Sequence, residues 1–280
     1  MIIYLIKELD NILWWWKPWH LNFLAALTSV WKSTYGWNLV LACSYTWTWT
    51  YFTSLEMTPV SMVKKLIQMC KWIWLSELEK INEVVLEKVK DWVNKLGWYP
   101  IYLYNNCWLW NYSAVEQWIR IAVWDYWVKV VFIDYLQYFA LEWRNIVTET
   151  WILVNKIKAL AMELQITINV MSQLNRSWRS KKKTWMYIPT LTDLKESSTL
   201  EQSADAVIFI CRDNESPIHS IQRKTVIKVA KNREWKTGYF SANFDWDTWI
   251  FSIETGRDYL VEMENDAWII DPMEWDDIFN

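Results

Sequence analysis

Glycine is nearly missing from this chain: 4 residues in 280, where a soluble domain ordinarily carries about 7%. Tryptophan is in excess, with 26 residues. The two anomalies meet at the same places. WWWKPW (14–19) reads as a turn and YTWTWT (45–50) as a loop entering a strand. A turn built from aromatic rings has no good physical account, whereas GGGKPG is an ordinary one. The expectation is that many of these tryptophans are glycine in the native protein. Translating UGA as Trp, when the source organism reads it as glycine, would give this pattern. A chain truly rich in Trp is the alternative.

Other absences narrow the class. The 4 cysteines (Cys43, Cys70, Cys107, Cys211) form no C-x-x-C pair, which argues against a disulfide framework or a zinc site and points to a reducing cytoplasm. No run of about 18 uncharged apolar residues exists, so no membrane span is expected. The opening MIIYLIKELD has neither a basic n-region nor a small-residue cleavage site, unlike a signal peptide.

What is present supports a globular domain. Hydrophobic residues make up 53% of the chain, enough for a sizeable core. The net charge of -3 is uneven, because residues 258–280 carry acids and no Lys or Arg. Residues 1–257 are read as one domain with a mild basic excess, and 258–280 as an acidic, flexible tail. A basic body suits a polyanion partner, though weakly.

Apolar runs and helical periodicity alternate along the chain. Strands are expected at 21–27, 50–56, 101–104, 128–134, 166–172 and 206–211, with helices at 32–43, 57–70, 76–97, 113–123, 148–164 and 199–203. A long strand at 223–233 and a final hairpin follow. Such alternation means a largely parallel sheet with crossover helices on both faces.

Two segments carry chemistry. AALTSVWKST (25–34) lies between the first strand and its helix, and matches G-x-x-x-x-G-K-[ST] except at the glycine positions, Ala26 and Trp31. In such a loop, backbone N–H groups at a helix N-terminus wrap the phosphates. Lys32 would reach the β/γ-phosphates and the Ser33 hydroxyl would hold Mg²⁺. The candidate nucleotide contacts are Ala26, Leu27, Thr28, Ser29, Val30, Trp31, Lys32, Ser33 and Thr34. A side chain at 31 blocks phosphate approach, so a literal Trp31 should abolish binding. VVFIDYLQY (130–138) supplies the second half: an apolar strand whose terminal Asp134 is placed to hold Mg²⁺ or to position Ser33.

Taken together, these segments and four more resemble the C-terminal, RecA-like ATPase domain of DnaB-type replicative DNA helicases, cellular or viral. TSLEM (53–57) is similar to the family's S-L-E-M strand end, which implies that Glu56 polarises the attacking water. FIDYLQ carries Asp134 and Gln137. MSQLNR (171–176) resembles S-Q-L-N-R, whose glutamine, here Gln173, senses the γ-phosphate. KNREWKTG (231–238) resembles K-x-R-x-G-x-x-G, which implies that Lys231 and Arg233 enter a neighbouring subunit's site. TDLKESSTLEQSADAVIFICRD (192–213) resembles D-L-R-E-S-G-x-I-E-Q-x-A-D-x-V. That loop implies DNA-backbone contacts at Lys195, Glu196, Ser197 and Ser198, although lysine replaces arginine and serine replaces glycine here. Arg176 and Arg179 in the neighbouring basic loop would add electrostatic grip.

The resemblance covers roughly residues 10–250 in the family's order. It implies a P-loop NTPase with a mostly parallel twisted sheet flanked by helices and a C-terminal hairpin. ATP or another NTP with Mg²⁺ would be the cofactors, and the partners single-stranded DNA and further copies in a hexameric ring. Primase, a helicase loader or replisome proteins are the remaining expected partners, with no membrane. The chain begins almost directly at the motor domain, without the relatives' N-terminal helical domain, as a viral or minimal helicase or a partial gene would. The alternatives are a RecA- or RadA-like recombination ATPase and, if Trp31 is genuine, a catalytically silent ring or DNA-binding module.

Overall fold

Strand β1 (Leu21–Ala26) is buried along its whole length. Its side chains divide by parity: Leu21, Phe23 and Ala25 enter one hydrophobic cluster, Leu24 and Ala26 another. A strand with both faces covered by apolar layers is the central strand of a doubly covered sheet. The computed structural model describes residues 17–26, 32–69, 87, 90–91, 94, 97–105, 111–134, 136, 139, 146–174, 188–194, 197–212, 222–234, 237–245 and 249–253.

Among these, β1 is followed by α1 (Lys32–Tyr45), β2 (Thr50–Ser54), α2 (Pro59–Met69), β3 (Ile101–Asn105), α3 (Tyr112–Tyr126), β4 (Val130–Asp134), α4 (Ile146–Leu164), β5 (Thr167–Gln173), α5 (Ser197–Ser203), β6 (Ala206–Arg212), β7 (Gln222–Asn232), β8 (Gly238–Asp245) and β9 (Ile250–Ile253). The sheet order is β3-β2-β4-β5-β1-β6-β7-β8-β9. From β3 to β6 every pairing is parallel, and β7, β8 and β9 close the sheet as antiparallel strands. The expected mostly parallel sheet and C-terminal hairpin are both present.

The helices take opposite faces. Val115, Ile119 and Ala122 of α3, Leu153, Val154, Ile157, Leu160 and Ala161 of α4 and Leu200 of α5 build one core layer. Residues of α1 and α2, with Phe52, Phe132 and Met171 from the strands, build the other. Trp37 of α1 is fully buried there and stacks on Phe52 at 3.9 Å between centroids. A Cβ added at Gly36 would sit 1.9 Å from the Met171 methyl carbon, so a side chain at 36 would force the end of Met171 to another position.

Strand ends differ modestly from expectation. The second strand stops at Ser54, not at residue 56, because the Ser54 hydroxyl accepts the backbone N–H groups of Glu56 (3.2 Å) and Met57 (2.8 Å). That side-chain turn replaces the ladder. Of the helix expected over 76–97, Glu87, Lys90, Asp91 and Asn94 are helical and Gly97 stands in a turn. The rest of that segment and the acidic tail (258–280) lie outside the described residues.

Among the described residues, five non-glycines adopt a left-handed backbone: Trp19, Trp47, Trp127, Gln165 and Trp249, with φ between 51° and 76°. Trp127 forms the C-cap of α3, its N–H directed to the carbonyls of Ala122 and Val123. Glycine is the usual residue at such a helix end. Trp47 and Trp127 are each 72% exposed, so neither ring is recovered by packing.

Candidate active site

The carboxyl ends of β1 and β4 lie on the same edge of the sheet, with β5 between them. Parallel α/β sheets bind their ligands at this edge. Lys32 and Ser33 open α1 directly after the loop that leaves β1, and α1 has no acidic residue in its first turn. Its N-terminal dipole is therefore available to an anion. Asp134 ends β4 and is fully buried. Ser33 Oγ donates to Asp134 Oδ2 at 2.6 Å. Asp134 Oδ1 is buried without a hydrogen-bond partner, an unusual state for a carboxylate oxygen in a native fold.

The ionisable groups here act on one another. Burial pushes the Asp134 carboxyl up, and Lys32 and the Ser33 hydrogen bond oppose that shift. Burial likewise holds the Lys32 ammonium below its ordinary value, against the attraction of Asp134 and then Glu56. Glu56, exposed in the turn after β2, is close enough to influence both. The backbone ties this turn to the site: Leu55 N–H donates to the Asp134 carbonyl at 2.7 Å, and Ser54 is in register with Asp134. Gln173 ends β5 half-buried, in register with Ala26 at the mouth of the loop. Thr34 is buried in the first turn of α1.

Lys32, Ser33, Glu56, Asp134 and Gln173 thus lie at one edge of the sheet. Leu27, Thr28, Ser29, Val30 and Trp31 lie outside the described residues, as do Arg176, Arg179, Lys195 and Glu196, and Gln137 with them. Ser197 and Ser198 form the first turn of α5.

Lys65 was not singled out from sequence. It lies on α2, and burial lowers its ammonium to about 8 against the opposing pull of Asp134. It adds a second ammonium, after Lys32, to the field around that carboxylate.

Lys231 and Arg233 stand elsewhere. Arg233 N–H donates to the Asp205 carbonyl at 2.9 Å, and Asp205 N–H to the Leu21 carbonyl at 2.8 Å. Both cations therefore sit by the amino end of β1, whereas Lys32 follows its carboxyl end. Six strand residues separate the two ends, about 20 Å at the usual rise. Neither cation can serve the phosphate site of its own chain.

Residues 3–252 match the family described as "DnaB-like helicase C terminal domain". The chain belongs to that family. Among curated relatives of this DnaB-like domain, the replicative DNA helicase DnaB of Rickettsia felis is 29% identical over 247 residues, covering 82% of this chain and 48% of that protein. A probable plasmid replicative DNA helicase of Chlamydia muridarum is 28% identical over 204 residues, covering 72% and 43%. The chain thus spans about half the length of the curated relatives it matches. A solved structure described as an ATPase domain shares the fold, with a TM-score of 0.73, 23% identity and 88% of each chain covered. A DnaB-like replicative helicase solved for its interactions with primase superposes with a TM-score of 0.69 at 22% identity, covering 84% of this DnaB-like chain and 57% of the other. No helix among the described residues is long and apolar enough to cross a membrane.

Proposed function

We propose that this chain is the motor domain of a ring-shaped replicative DNA helicase, hydrolysing ATP or another NTP to move along single-stranded DNA. The observation that carries the proposal is the 2.6 Å contact of Ser33 with Asp134 beside Lys32, with Lys231 and Arg233 at the far end of β1. One edge has the groups that hold a triphosphate. The other has cations that can act only on a neighbour's nucleotide, which is why the ring, a hexamer by family resemblance, is part of the proposal.

The residues fit a hard divalent cation. Ser33 Oγ and the orphaned Asp134 Oδ1 are oxygen donors, and Mg²⁺ takes one or two carboxylates together with substrate phosphates. When bound, the ion neutralises charge on the β/γ-phosphate oxygens. Lys32 holds the phosphates, Glu56 orients the attacking water and takes its proton, and Gln173 touches the γ-phosphate without repelling it. Arg233 and Lys231 of the adjacent subunit stabilise the charge that develops in the transition state. Lys195, Glu196, Ser197 and Ser198 follow the DNA backbone, helped by Arg176 and Arg179. Primase or a loader would engage the assembled ring.

We infer also that residue 31 is glycine in the working protein. Among the described residues, Trp holds four of the five left-handed non-glycine positions. Left-handed backbone disfavours any Cβ by about 1–2 kcal/mol and is the conformation for which glycine is selected. The same substitution at 31 restores the phosphate loop.

The test is NTP hydrolysis and forked-duplex unwinding by the Trp31→Gly chain, beside Lys32→Ala and Glu56→Gln versions of it. The expected result is DNA-stimulated hydrolysis with unwinding, both abolished in the two variants. Strand exchange without unwinding would assign the chain to recombination, and no turnover would sink the motor. Codon reading and peptide mass spectrometry at 31 test the glycine directly: a UGG codon with a tryptophan peptide overturns it.

A further inference from the structure

Lys231 and Arg233 belong to the β7–β8 hairpin, but their side chains are seated on another element. Lys231 Nζ donates to the carbonyls of Glu201 and Ala204, the latter at 2.8 Å. Arg233 Nη2 donates to the Gln202 carbonyl at 2.6 Å, and its Nη1 lies 3.5 Å from Asp205 Oδ1. These carbonyls belong to the last turn of α5 and the residue just after it. The last four carbonyls of a helix have no partner within the helix, and a cation there is favoured by the helix dipole. Two cations of the hairpin cap α5 from outside.

The other end of α5 is its first turn, Ser197 and Ser198. With 7 residues, the helix is about 10 Å long. Its root is rigid: Leu200 is fully buried, and Ala204 N–H donates to the Leu200 carbonyl at 3.0 Å. Asp205 Oδ2 accepts from Leu21 N–H at 2.7 Å and from Lys158 Nζ at 2.5 Å. One short element therefore joins the residues assigned to the DNA backbone to the cations assigned to the neighbour's nucleotide.

We propose that α5 is a coupling rod: DNA contact at Ser197 and Ser198 displaces it, and so resets the seats of Lys231 and Arg233. The inference rests on the functional reading above. In the free subunit both cations are held by carbonyls of their own chain. Each must exchange those partners for phosphate oxygens of the adjacent site, and the position of α5 decides how readily it does so. Lys231 and Arg233 touch the neighbour's substrate; α5 acts only through them, as a positioning element.

The test uses the assembled full chain carrying Trp31→Gly, with hydrolysis measured with and without oligo-dT and DNA affinity measured by anisotropy. The pair Glu201→Gly and Gln202→Gly softens the rod while keeping the backbone carbonyls that seat Lys231 and Arg233. Two glycines inside a helix weaken it, and DNA stimulation should fall on the order of tenfold. Basal turnover and DNA affinity should stay unchanged. Glu201→Ala with Gln202→Ala keeps helix propensity and should keep full stimulation. Hydrogen exchange gives a second measurement, with no variant: oligo-dT should change protection at 197–203 and at 229–234 together. Full stimulation in the glycine pair, equal loss of basal and stimulated rates, or an exchange response confined to 197–203 overturns the rod alone. A parent chain without any DNA-stimulated hydrolysis overturns the functional reading, and the rod with it.

Discussion

Ser33 and Asp134 are 101 positions apart in sequence and share a hydrogen bond of 2.6 Å. The pair closes because β1 and β4 run parallel on either side of β5, so both chain segments leave the sheet at the same edge. A serine hydroxyl held by a carboxylate is preoriented. The carboxylate's second oxygen, buried and unpartnered, is left to a ligand of the site.

Asp134→Asn in the Trp31→Gly chain should lower hydrolysis by about 100-fold or more, in line with the loss of one preorganised electrostatic group. It should not lower the melting temperature, because burial outweighs the partners of this carboxyl and pushes its pKa up, and asparagine keeps an oxygen to accept from Ser33. Steady-state turnover and a thermal melt check both halves. A variant that loses both activity and fold would contradict the assignment.

Lys32→Ala and Arg233→Ala chains should each be inactive alone and partly active when mixed. A mixed ring contains junctions with an intact phosphate site on one side and an intact arginine on the other. Activity restored on mixing requires Arg233 to work in trans, as its place by the amino end of β1 dictates. Mixtures with no more activity than either chain alone would refute it.

Trp127→Gly should raise stability by about 1 kcal/mol, through relief of the left-handed strain at the C-cap of α3. Trp47→Gly should do the same, since its ring is 72% exposed. Chemical denaturation of each single variant measures the shift. Destabilisation at both positions would count against the glycine reading.

Asn38 is buried in α1 and bridges to the last hairpin. Its Nδ2 donates to the Thr34 and Trp249 carbonyls at 2.8 and 3.1 Å, and its Oδ1 accepts from Phe251 N–H at 3.0 Å. Asn38→Ala removes all three of these hydrogen bonds and should cost about 1–3 kcal/mol. Urea denaturation of the Asn38→Ala chain reads it, and a loss below about 0.5 kcal/mol would mean that water replaces the amide.

Cys43 and Cys211 are buried, and burial pushes both thiols up to about 12. At pH 8 the native chain should leave both unmodified by a thiol reagent, while the denatured chain reacts at both, because only the thiolate attacks. Peptide mapping after a timed exposure decides it. Rapid native labelling at either position would show that its layer opens.

Much of the site was legible because its signals are local. LNFLAA followed by a loop and a Lys-Ser helix start, and VVFID ending in a carboxylate, are patterns of a few residues whose chemistry follows from their order. The period-two division of β1 between two core layers follows from the same six letters. Lys65, Asn38 and Asp205 escaped notice, since an isolated Lys, Asn or Asp has no local pattern. What gives each its role is a partner far along the chain: Asp134 for Lys65, Phe251 for Asn38, and Leu21 for Asp205.

By itself, the sequence determined the class of sheet, the candidate residues for a phosphate site and the anomaly in glycine, because side-chain period, turn chemistry and composition act over short distances. Only the tertiary structure decided which strands are neighbours, and with them the closure of Ser33 on Asp134. It alone placed Lys231 and Arg233 at the far end of β1, seated on α5. Those facts depend on how parallel strands are ordered across the sheet. That order is set by which apolar faces bury one another, a property of the whole chain rather than of any segment.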